Sequence, residues 1–400
     1  MPAFDRRALG VLLAGFSAFL DLYATQGMLP FLAREFGVSP LAVSATVSAT
    51  TTIVALTAPF AGLLADRFER KKTMVWAALL LALPTALAAT SQGLFALLVW
   101  RAAQGLFIPI IFAAAVGYVA EECQGRVGRT MAAYVTGNIL GGVLGRFLTA
   151  WVAAHFGWRN SFAVLALLNG GAAFALTSVL PTSRHFIAQA AKFPAPRELW
   201  QRVRDPKLIA GYAVGFCLLF SIVATFTYVG FHLAAPPFSL DTVKIGGIFL
   251  VYLCGAVTTP LAGRQIDRVG ARKVLLLALG LASAGVLCTL GSSLWLVVVG
   301  LAGCAAGIFV CQSAANSYVA SRSSGARSYA AGLYLSFYYL GGTLGALVPG
   351  FAYRAAGWAA CVALIVAVQA LTALIGFVAW RAPLKTSEPV AHPSNVARTA

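Results

Sequence analysis

The stretch GLLADRFERKK at residues 62–72 returns about 200 residues later as GRQIDRVGARK at residues 263–273. Two shorter matches follow at a similar shift: Leu-Gly-Gly at 140–142 and 340–342, and Gly-Trp at 157–158 and 357–358. Three matches in one order indicate an internal repeat rather than chance. The chain is therefore predicted to consist of two halves of one design.

The composition places this repeat in a membrane. Hydrophobic residues make up 60% of the 400 residues and charged residues 10%, whereas a soluble domain carries about a quarter charged residues. A purely soluble protein is thereby excluded. Because about 20 apolar residues cross a bilayer as one helix, the apolar runs predict twelve helices, which we number spans 1 to 12: 8–31, 41–64, 73–91, 95–119, 130–154, 160–180, 208–232, 244–263, 273–291, 294–319, 328–352 and 357–380.

Basic residues set the orientation of these spans. Cytoplasmic loops of membrane proteins are enriched in lysine and arginine. With both termini inside, 23 of the 29 basic residues fall on the cytoplasmic side, and the outer side holds Arg34, Arg159, Lys244 and Arg354. The basic residues behind the net charge of +17 thus lie mainly in cytoplasmic loops. Nucleic-acid binding would need basic patches on a polar surface, and the sequence shows none.

The repeat also divides the chain into domains. Residues 1–180 are predicted to form an N-terminal six-helix bundle and residues 208–383 a C-terminal one, joined by a cytoplasmic linker at 181–207 and followed by a disordered tail at 384–400. Halves of equal orientation are related by an axis along the membrane normal, with the substrate site between them near the midplane. We expect the chain to work as a monomer in a lipid bilayer.

The chain resembles the major facilitator superfamily, whose signature loop between helices 2 and 3 reads Gly-x-Leu-x-Asp-Arg-x-Gly-Arg-Lys. Residues 62–71 match it, with Glu69 in place of one glycine, and residues 263–273 form a weaker copy. Segments 137–146 and 180–186 are similar to bacterial inner-membrane efflux proteins of the drug:proton antiporter branch. The resemblance implies an all-α polytopic fold of two six-helix bundles in the bacterial inner membrane, and transport driven by a proton gradient.

The repeated motif has a physical logic of its own. Asp66 lies at a helix end and can pair with Arg70 four residues later, while Arg67 and Lys71 can meet carbonyls or acids at neighbouring helix ends. We expect such contacts to latch the halves in one state, although positive-inside anchoring is the alternative. Candidate gating residues are Gly62, Asp66, Arg67, Arg70, Lys71, Gly263, Asp267, Arg268 and Arg272.

Charges inside the predicted spans point to the coupling mechanism. Asp21 is the only acid well inside a span, and an intramembrane carboxylate is a functional candidate by default. Arg101 and Arg146 also lie within spans of the N-terminal half, whereas Gly303 and Ala346 replace them in the repeat. We predict that Asp21 carries a proton, with Arg101 as its electrostatic switch and Arg146 as a second partner or an anion contact. A static ion pair is the alternative.

Polar residues recur at helical spacing in several spans. Ser17, Asp21 and Thr25 share one face of span 1, and such stripes are expected to line a cavity because lipid offers no hydrogen-bond partner. The resemblance implies that Arg101 and Gln104, from the motif Arg-x-x-Gln-Gly, face the central cavity. Candidate substrate contacts are Thr25, Gln26, Gln104, Tyr134, Asn138, Tyr228, Gln312, Asn316 and Tyr338.

Enzyme signatures are absent from the sequence. It contains no HExxH, GxSxG or GxxxxGK[ST] motif, and its seven cysteines show no metal-binding spacing. We therefore predict a secondary transporter without a cofactor that exports small organic molecules, of drug or sugar type, in exchange for protons. Two alternatives are a proton-coupled symporter that takes up an organic anion, such as an aromatic carboxylate, and a membrane sensor that binds a ligand without moving it.

Overall fold

The computed structural model describes residues 5–186, 206–322 and 327–380. These residues are all-helical apart from short connections, with no strand among them. The helices run over Arg6–Leu22, Ala24–Met28 and Leu29–Phe36 (span 1), Pro40–Arg67 (span 2), Arg70–Ala88 (span 3), Leu94–Glu122 (span 4), Val127–Phe156 (span 5), Trp158–Val179 (span 6), Pro206–Ala234 (span 7), Thr242–Ile248, Phe249–Tyr252 and Leu253–Val269 (span 8), Ala271–Cys288 (span 9), Leu294–Arg322 (span 10) and Arg327–Ala379 (spans 11 and 12).

The predicted all-α fold of twelve spans is confirmed. Among the described residues, ten helices are long and apolar enough to cross a membrane, and the bent pair of helices in span 1 makes an eleventh. The last of these helices contains two spans, because Ala356 and Gly357 leave the helical conformation. Most of the predicted linker and the whole predicted tail, residues 187–205 and 381–400, lie outside the described residues.

The repeated Gly-Trp motif forms the corner between the last two spans of each half. Gly157 has φ +87° and Gly357 has φ +67°, a backbone conformation that glycine adopts without steric cost. Trp158 and Trp358 then begin the following helix and are both buried. The repeat in sequence is thus a repeat in structure.

Within the described residues, a short 3₁₀ helix interrupts one span of each half, closer to the outer end of the span than to its inner end. Span 1 bends by 46° at the short 3₁₀ helix Ala24–Met28. Span 8 passes through a second 3₁₀ helix at Phe249–Tyr252. The repeat partner of span 1 is span 7, an unbroken helix over Pro206–Ala234, so the breaks depart from the internal symmetry. Such breaks leave backbone carbonyls that need hydrogen-bond partners.

Glycines at four-residue intervals join the first and fifth spans of each half. Gly137, Gly141 and Gly145 lie against the carbonyls of Leu12, Phe16 and Leu20, so closely that an added methyl group would overlap those oxygens. In the second half, Gly341 and Gly345 lie in the same way against Phe216 and Phe220. Small residues at this spacing allow two membrane helices to approach closely.

The two halves contact each other on their outer side. Thr51 and Thr343 hydroxyls lie 3.0 Å apart between spans 2 and 11, and Tyr228 of span 7 donates a hydrogen bond to the Ser44 hydroxyl at 3.2 Å. Gly246 of span 8 also packs closely on Ala150 of span 5. These contacts close the path from the outside.

The cytoplasmic side of the same interface is open beside spans 5, 8 and 10, whereas Gly332 of span 11 still packs against Pro59 of span 2. In the inner helix of span 8, Leu253–Val269, only Gly255 and Ala262 are buried. Val135 and Asn316, the cavity residues nearest the inner ends of spans 5 and 10, are exposed. The structure therefore represents an inward-facing state.

Candidate substrate cavity and proton-coupling site

A central cavity of about 230 Å³ lies between the two halves. Five of the residues proposed from the sequence line it: Asn138, Arg146, Gln312, Asn316 and Tyr338. Aromatic rings form much of the remaining wall: Phe19, Tyr23, Tyr252, Phe309 and Tyr339. Pockets for drug-sized ligands commonly measure about 300–1,000 Å³, so this cavity suits a smaller molecule.

Arg146 is the only charged side chain that lines the cavity among the described residues. It is 4% exposed. Its Nε donates to Gln26 Oε1 at 2.9 Å, and its Nη1 donates to the Gly142 carbonyl of the same helix at 2.7 Å. Within the described residues no carboxylate lies within 4.0 Å of it. The cavity therefore contains a cation without a counter-charge.

Three aromatic rings from both halves surround this guanidinium group. Arg146 Cζ lies 4.7 Å from the ring centre of Tyr23, 4.9 Å from that of Tyr252 and 5.2 Å from that of Phe249. Ring faces attract a cation at such distances. Tyr23 immediately precedes the break in span 1, and the other two rings lie in the break of span 8. The two breaks thus build the aromatic cage.

Gln26 connects Arg146 to the opposite half. Its Oε1 accepts from Arg146, and its Nε2 donates to the Thr227 hydroxyl of span 7 at 2.9 Å. Gln26 is 1% exposed and does not line the cavity. Proposed from the sequence as a substrate contact, this residue instead uses its amide to hold the outer closure.

Several buried polar atoms at the cavity have no partner among the described residues: Tyr23 Oη, Asn138 Oδ1 and Gln312 Oε1. The amide nitrogen of Gln312 is engaged, because it donates to Tyr334 Oη at 2.9 Å and to Asn316 Oδ1 at 3.4 Å. Buried polar groups normally have a hydrogen-bond partner. These oxygens are shielded from the open space of the cavity, and Asn138 Oδ1 lies against Gly15 of span 1.

Asp21 lies inside the N-terminal half and is fully buried. Its Oδ2 accepts hydrogen bonds from Thr85 of span 3 at 3.0 Å and from the Asn169 amide of span 6, while Oδ1 has no partner among the described residues. Ser17 donates to the Asn169 Oδ1 atom at 2.7 Å and completes this polar cluster. The cluster can hold a proton away from the cavity.

Arg101 lies beside Asp21 and contacts the backbone rather than the carboxylate. Its guanidinium group donates to the carbonyls of Asp21 at 2.7 Å and Leu22 at 2.9 Å, where the first helix of span 1 ends. It also donates to Thr46 O and Gln104 Oε1. Carbonyls at a helix C-terminus attract a cation. Arg101 therefore stabilises the break in span 1 and places positive charge near Asp21.

The cytoplasmic motif centres on Arg70. The predicted local pair is present, since Arg70 Nη2 lies 2.8 Å from Asp66 Oδ1. The same nitrogen lies 2.6 Å from Glu121 Oε1 at the inner end of span 4, and Lys71 Nζ donates to Thr177 O of span 6 at 2.8 Å. Arg67 instead lies over the ring of Phe68. In this state the described contacts of the motif join spans of the N-terminal half.

The second copy of the motif is less connected. Gly270 occupies the corner with φ +85°, whereas Glu69 occupies the equivalent position with φ −54° and accepts a hydrogen bond from the Ser183 backbone. Asp267 and Arg268 are exposed, and no ion pair within 4.0 Å is found for them among the described residues. Arg272 lies over the ring of Phe377 at 4.4 Å. Gly62 and Gly263 have open space around them.

Four other candidate substrate contacts lie away from the cavity lining. Thr25 accepts a hydrogen bond from Thr46, and Gln104 donates one to Thr85. Tyr134 packs beside Gly15 of span 1. Tyr228 belongs to the outer contact between the halves. The polar stripe of span 1, formed by Ser17, Asp21 and Thr25, likewise faces the interior of the N-terminal half. Its side chains meet other buried polar groups there.

Sequence reasoning missed several residues of both sites. Thr85 and Asn169 are single polar residues in long apolar spans, and only the packing of spans 3 and 6 on span 1 brings them to Asp21. Tyr23, Phe249 and Tyr252 are ordinary aromatic residues until the helix breaks turn them toward Arg146. No periodic signal in the sequence marks either break.

Comparisons with known proteins agree with this architecture. The family model of the Major Facilitator Superfamily matches residues 11–251 and 238–398. The chain is 33% identical to the inner membrane transport protein YnfM of Escherichia coli, over 94% of this chain and 90% of that protein. It is 31% identical to the uncharacterized MFS-type transporter YybF of Bacillus subtilis, over 91% of each chain.

Two solved structures share the fold. A mutant of the nucleoside transporter NupG superposes with a TM-score of 0.73 at 12% identity, covering 94% of this chain and 100% of that one. The human organic anion transporter MFSD10 (TETRAN) gives 0.70 at 20% identity, with the same coverage. At these identities the likeness concerns the fold alone. The family-model match and the relatives above show that this multi-pass membrane protein is a transporter of the major facilitator superfamily. The repeat, the twelve spans and the shared fold agree with this membership.

Proposed function

We propose that this chain is a proton-coupled symporter of small organic anions in the bacterial cytoplasmic membrane. The observation that carries the proposal is the unpaired Arg146, the single charged side chain of the central cavity among the described residues. A buried charge without a partner is costly, and ring faces offset only part of that cost. A substrate with its own negative charge completes the site.

Charge coupling favours movement of the proton and the anion together. Tyr23 caps the helix that carries Asp21 and lies two residues after it, so an anion on Arg146 lies on the order of 10 Å from the Asp21 carboxylate. At an effective dielectric constant of about 20, two like charges at that distance repel by roughly 1.7 kcal/mol, more than tenfold in affinity. Protonation of Asp21 removes this repulsion. Proton and anion therefore strengthen each other's binding, as the reciprocity of linked sites requires.

The sign of this coupling distinguishes symport from exchange. Exchange needs a substrate whose binding opposes protonation, such as a cation drawn to the ionised carboxylate. A cation in this cavity would meet the Arg146 guanidinium with no intervening acid among the described residues. We therefore replace the export of drug-type molecules, favoured from the sequence alone, by proton-linked anion uptake as the proposed function.

The inward-facing state supplies one end of the transport cycle. The cavity opens to the cytoplasm, and the anion leaves once Asp21 releases its proton. Return to the outward-facing state requires the outer contacts Gln26–Thr227 and Tyr228–Ser44 to break. The helix breaks in spans 1 and 8 give the outer segments of these spans freedom to move independently.

The proposal is tested with purified protein in liposomes. Uptake of labelled phenylacetate is measured with the exterior more acidic than the interior, with competition by a lipophilic cation, a neutral sugar and a second carboxylate. We expect only the carboxylates to compete. Arg146→Gln should lower uptake at least 100-fold, since hydrogen bonds to charged groups contribute about 1.5–3 kcal/mol each.

Arg354→Gln serves as the matched control, because Arg354 is an exposed arginine and its replacement changes the net charge equally. This variant should transport like the unmodified protein. Competition by the cation, or normal uptake by Arg146→Gln, would exclude an organic anion as the substrate.

A further inference from the structure

We propose that the substrate carries a single negative charge, as a monocarboxylate does at neutral pH, and that one proton enters with it. This inference rests on the proposed function and narrows the substrate class of the same cavity. It follows from the charged side chains buried within the spans, Asp21, Arg101 and Arg146, and from the neutral residues at the matching positions of the second half.

The cavity offers one cationic nitrogen to a ligand. Arg146 Nε and Nη1 are engaged by Gln26 and by the Gly142 carbonyl, whereas Nη2 has no hydrogen-bond partner among the described residues. This nitrogen is not sealed off, in contrast to Tyr23 Oη and Gln312 Oε1. A carboxylate oxygen can therefore accept from Nη2 without displacing a protein contact.

A second carboxylate on the same ligand would have no cation to bind. The other polar side chains of the cavity wall are neutral amides and hydroxyls: Asn138, Gln312, Asn316, Thr259, Ser313 and four tyrosines. A buried ionised carboxylate without a cationic partner is costly. A dicarboxylate should therefore bind less tightly than a monocarboxylate of the same shape.

One buried acid lies within the spans. Among the described residues, Asp21 and Glu122 are the two buried acids. Glu122 is the last residue of span 4, at its cytoplasmic end, and its carboxylate accepts a hydrogen bond from the His185 backbone at 2.6 Å. Because Glu122 lies at the cytoplasmic face, it cannot take up a proton from the outside. Asp21 is thus the single site that can carry one.

The glycine contacts show which residues of the two halves correspond. Gly141 packs against the carbonyl of Phe16, and Gly341 packs against that of Phe216. These contacts are related by a shift of 200 residues, and so are the two Gly-Trp corners. The same shift therefore relates span 1 to span 7 and span 6 to span 12.

The second half has no acid at the position of the proton site. Asp21 corresponds to Ser221, whose hydroxyl donates to a backbone carbonyl of its own helix at 2.8 Å. Asn169, which donates to Asp21, corresponds to Gln369, and the Gln369 amide oxygen accepts from Ser283 at 2.7 Å. Hydroxyl and amide side chains exchange hydrogen bonds without carrying a charge. We therefore expect one proton per transport cycle.

The charge within the spans is then equal in the empty and the loaded protein. Two arginines and the ionised Asp21 leave one positive charge in the empty protein. A proton on Asp21 and a monoanion on Arg146 again leave one positive charge. A complete cycle therefore moves no net charge across the membrane. If two protons accompanied each anion, a membrane potential of about 100 mV would change the accumulation ratio about 50-fold.

Purified full-length protein in liposomes tests the one-to-one ratio at its balance point. The interior holds tenfold more phenylacetate than the exterior and is one pH unit more alkaline, so the anion and proton gradients oppose each other equally. We expect no net flux of labelled phenylacetate at about 0, −100 or +100 mV, set with potassium and valinomycin. The undissociated acid is also at equilibrium under these conditions, so any net flux belongs to the protein.

A fivefold excess inside, at the same pH difference, shows that the protein is active. Net uptake should then exceed that of protein-free liposomes. At the balance point, entry at an interior-negative potential would indicate more than one proton per anion, and exit would indicate less than one. Either result would overturn the assignment and leave anion transport standing. Absence of uptake with the fivefold excess would instead contradict the proposed function.

Two analogues of similar shape test the charge of the substrate. 4-Nitrophenylacetate and 4-carboxyphenylacetate carry flat groups of similar size at the far end of the ring, but the second compound is a dianion at neutral pH. We expect the dianion to compete with labelled phenylacetate at least tenfold less well than the nitro compound does. Equal competition by the two would overturn the single-charge assignment.

Discussion

Gln26 Nε2 lies 2.9 Å from Thr227 Oγ1, and this hydrogen bond joins the two halves of the protein beside the central cavity. The same amide accepts from Arg146 at 2.9 Å. One side chain therefore links the cation of the cavity to the outer closure. An anion that draws Arg146 toward itself weakens this closure, which couples substrate binding to the change of state.

Removal of the Thr227 hydroxyl should shift the protein toward the outward-facing state. Thr227→Val keeps the shape of the side chain and leaves the buried Gln26 amide without its acceptor. A neutral hydrogen bond contributes about 0.5–1.5 kcal/mol, so we expect the ratio of outward- to inward-facing protein to rise about 2- to 10-fold. Spin-label distances between the outer ends of the halves, at positions 35 and 241, report the ratio.

The labels require Cys254, which is exposed, and Cys288, which is half-buried, to be replaced by serine. Thr225→Val is the control, because the Thr225 hydroxyl donates to Ser221 within its own helix. Equal distance distributions in Thr227→Val and the control would show that the bond does not hold the closure.

Asp21→Asn should separate binding from coupling. The substitution mimics the protonated acid, so the repulsion of the bound anion disappears and anion affinity should rise about tenfold at neutral pH. Proton-driven accumulation should be lost, while exchange of labelled for unlabelled anion continues. Uptake and counterflow in the same liposomes measure both effects.

Asp241→Asn, at an exposed acid near the outer end of span 8, controls for loss of a negative charge. Accumulation against a gradient by the Asp21→Asn variant would remove this residue from the proton path.

The cytoplasmic motif should depend more on Glu121 than on Asp66. Glu121 accepts three hydrogen bonds from Arg70, at 2.6 to 3.1 Å, whereas Asp66 makes one close contact and is 40% exposed. Arg70 itself is only 8% exposed. We expect Glu121→Gln to destabilise the protein by about 1 kcal/mol or more and Asp66→Asn by less.

Thermal unfolding of the purified variants gives this order, and transport per folded molecule separates gating from stability. A larger loss of stability in Asp66→Asn than in Glu121→Gln would contradict the described geometry.

The glycine contacts between spans 1 and 5 predict a strong effect of a single methyl group. Gly141→Ala would overlap the Phe16 carbonyl and must push the two helices apart. Overpacking of this kind typically costs about 1–3 kcal/mol. Gly171→Ala, where the added methyl meets open space, should change little, and unfolding temperatures compare the two. Equal stability of both variants would mean that spans 1 and 5 are not packed as described.

The architecture can be predicted from the sequence because it depends on strong, repeated signals. Apolar runs of spanning length, the bias of basic residues and the doubled Gly-Trp corner can each be recognised in the sequence itself. None of these signals depends on how distant spans pack against each other. Arg146 can also be identified from the sequence, because a single charged residue within an apolar run is unusual.

The details of the sites cannot be predicted because they depend on helix breaks and on packing between distant spans. The sequence predicts Thr25 and Gln104 in the cavity, but the bend after Leu22 and the packing of spans 2 and 3 turn them into the N-terminal half. Glu69 is visible as a departure from the motif, yet its hydrogen bond to the Ser183 backbone needs the return of the chain after span 6. Periodicity along one helix carries no information on such contacts.

The most direct test of the central claim is the movement of protons that accompanies the anion. Liposomes containing the purified protein and an internal pH indicator receive an inward gradient of phenylacetate at equal pH, and the rate in protein-free liposomes is subtracted. We expect the interior to acidify with the unmodified protein and with Arg354→Gln, and not with Arg146→Gln or Asp21→Asn. Anion entry without acidification, or with alkalinisation, would contradict proton-coupled anion symport.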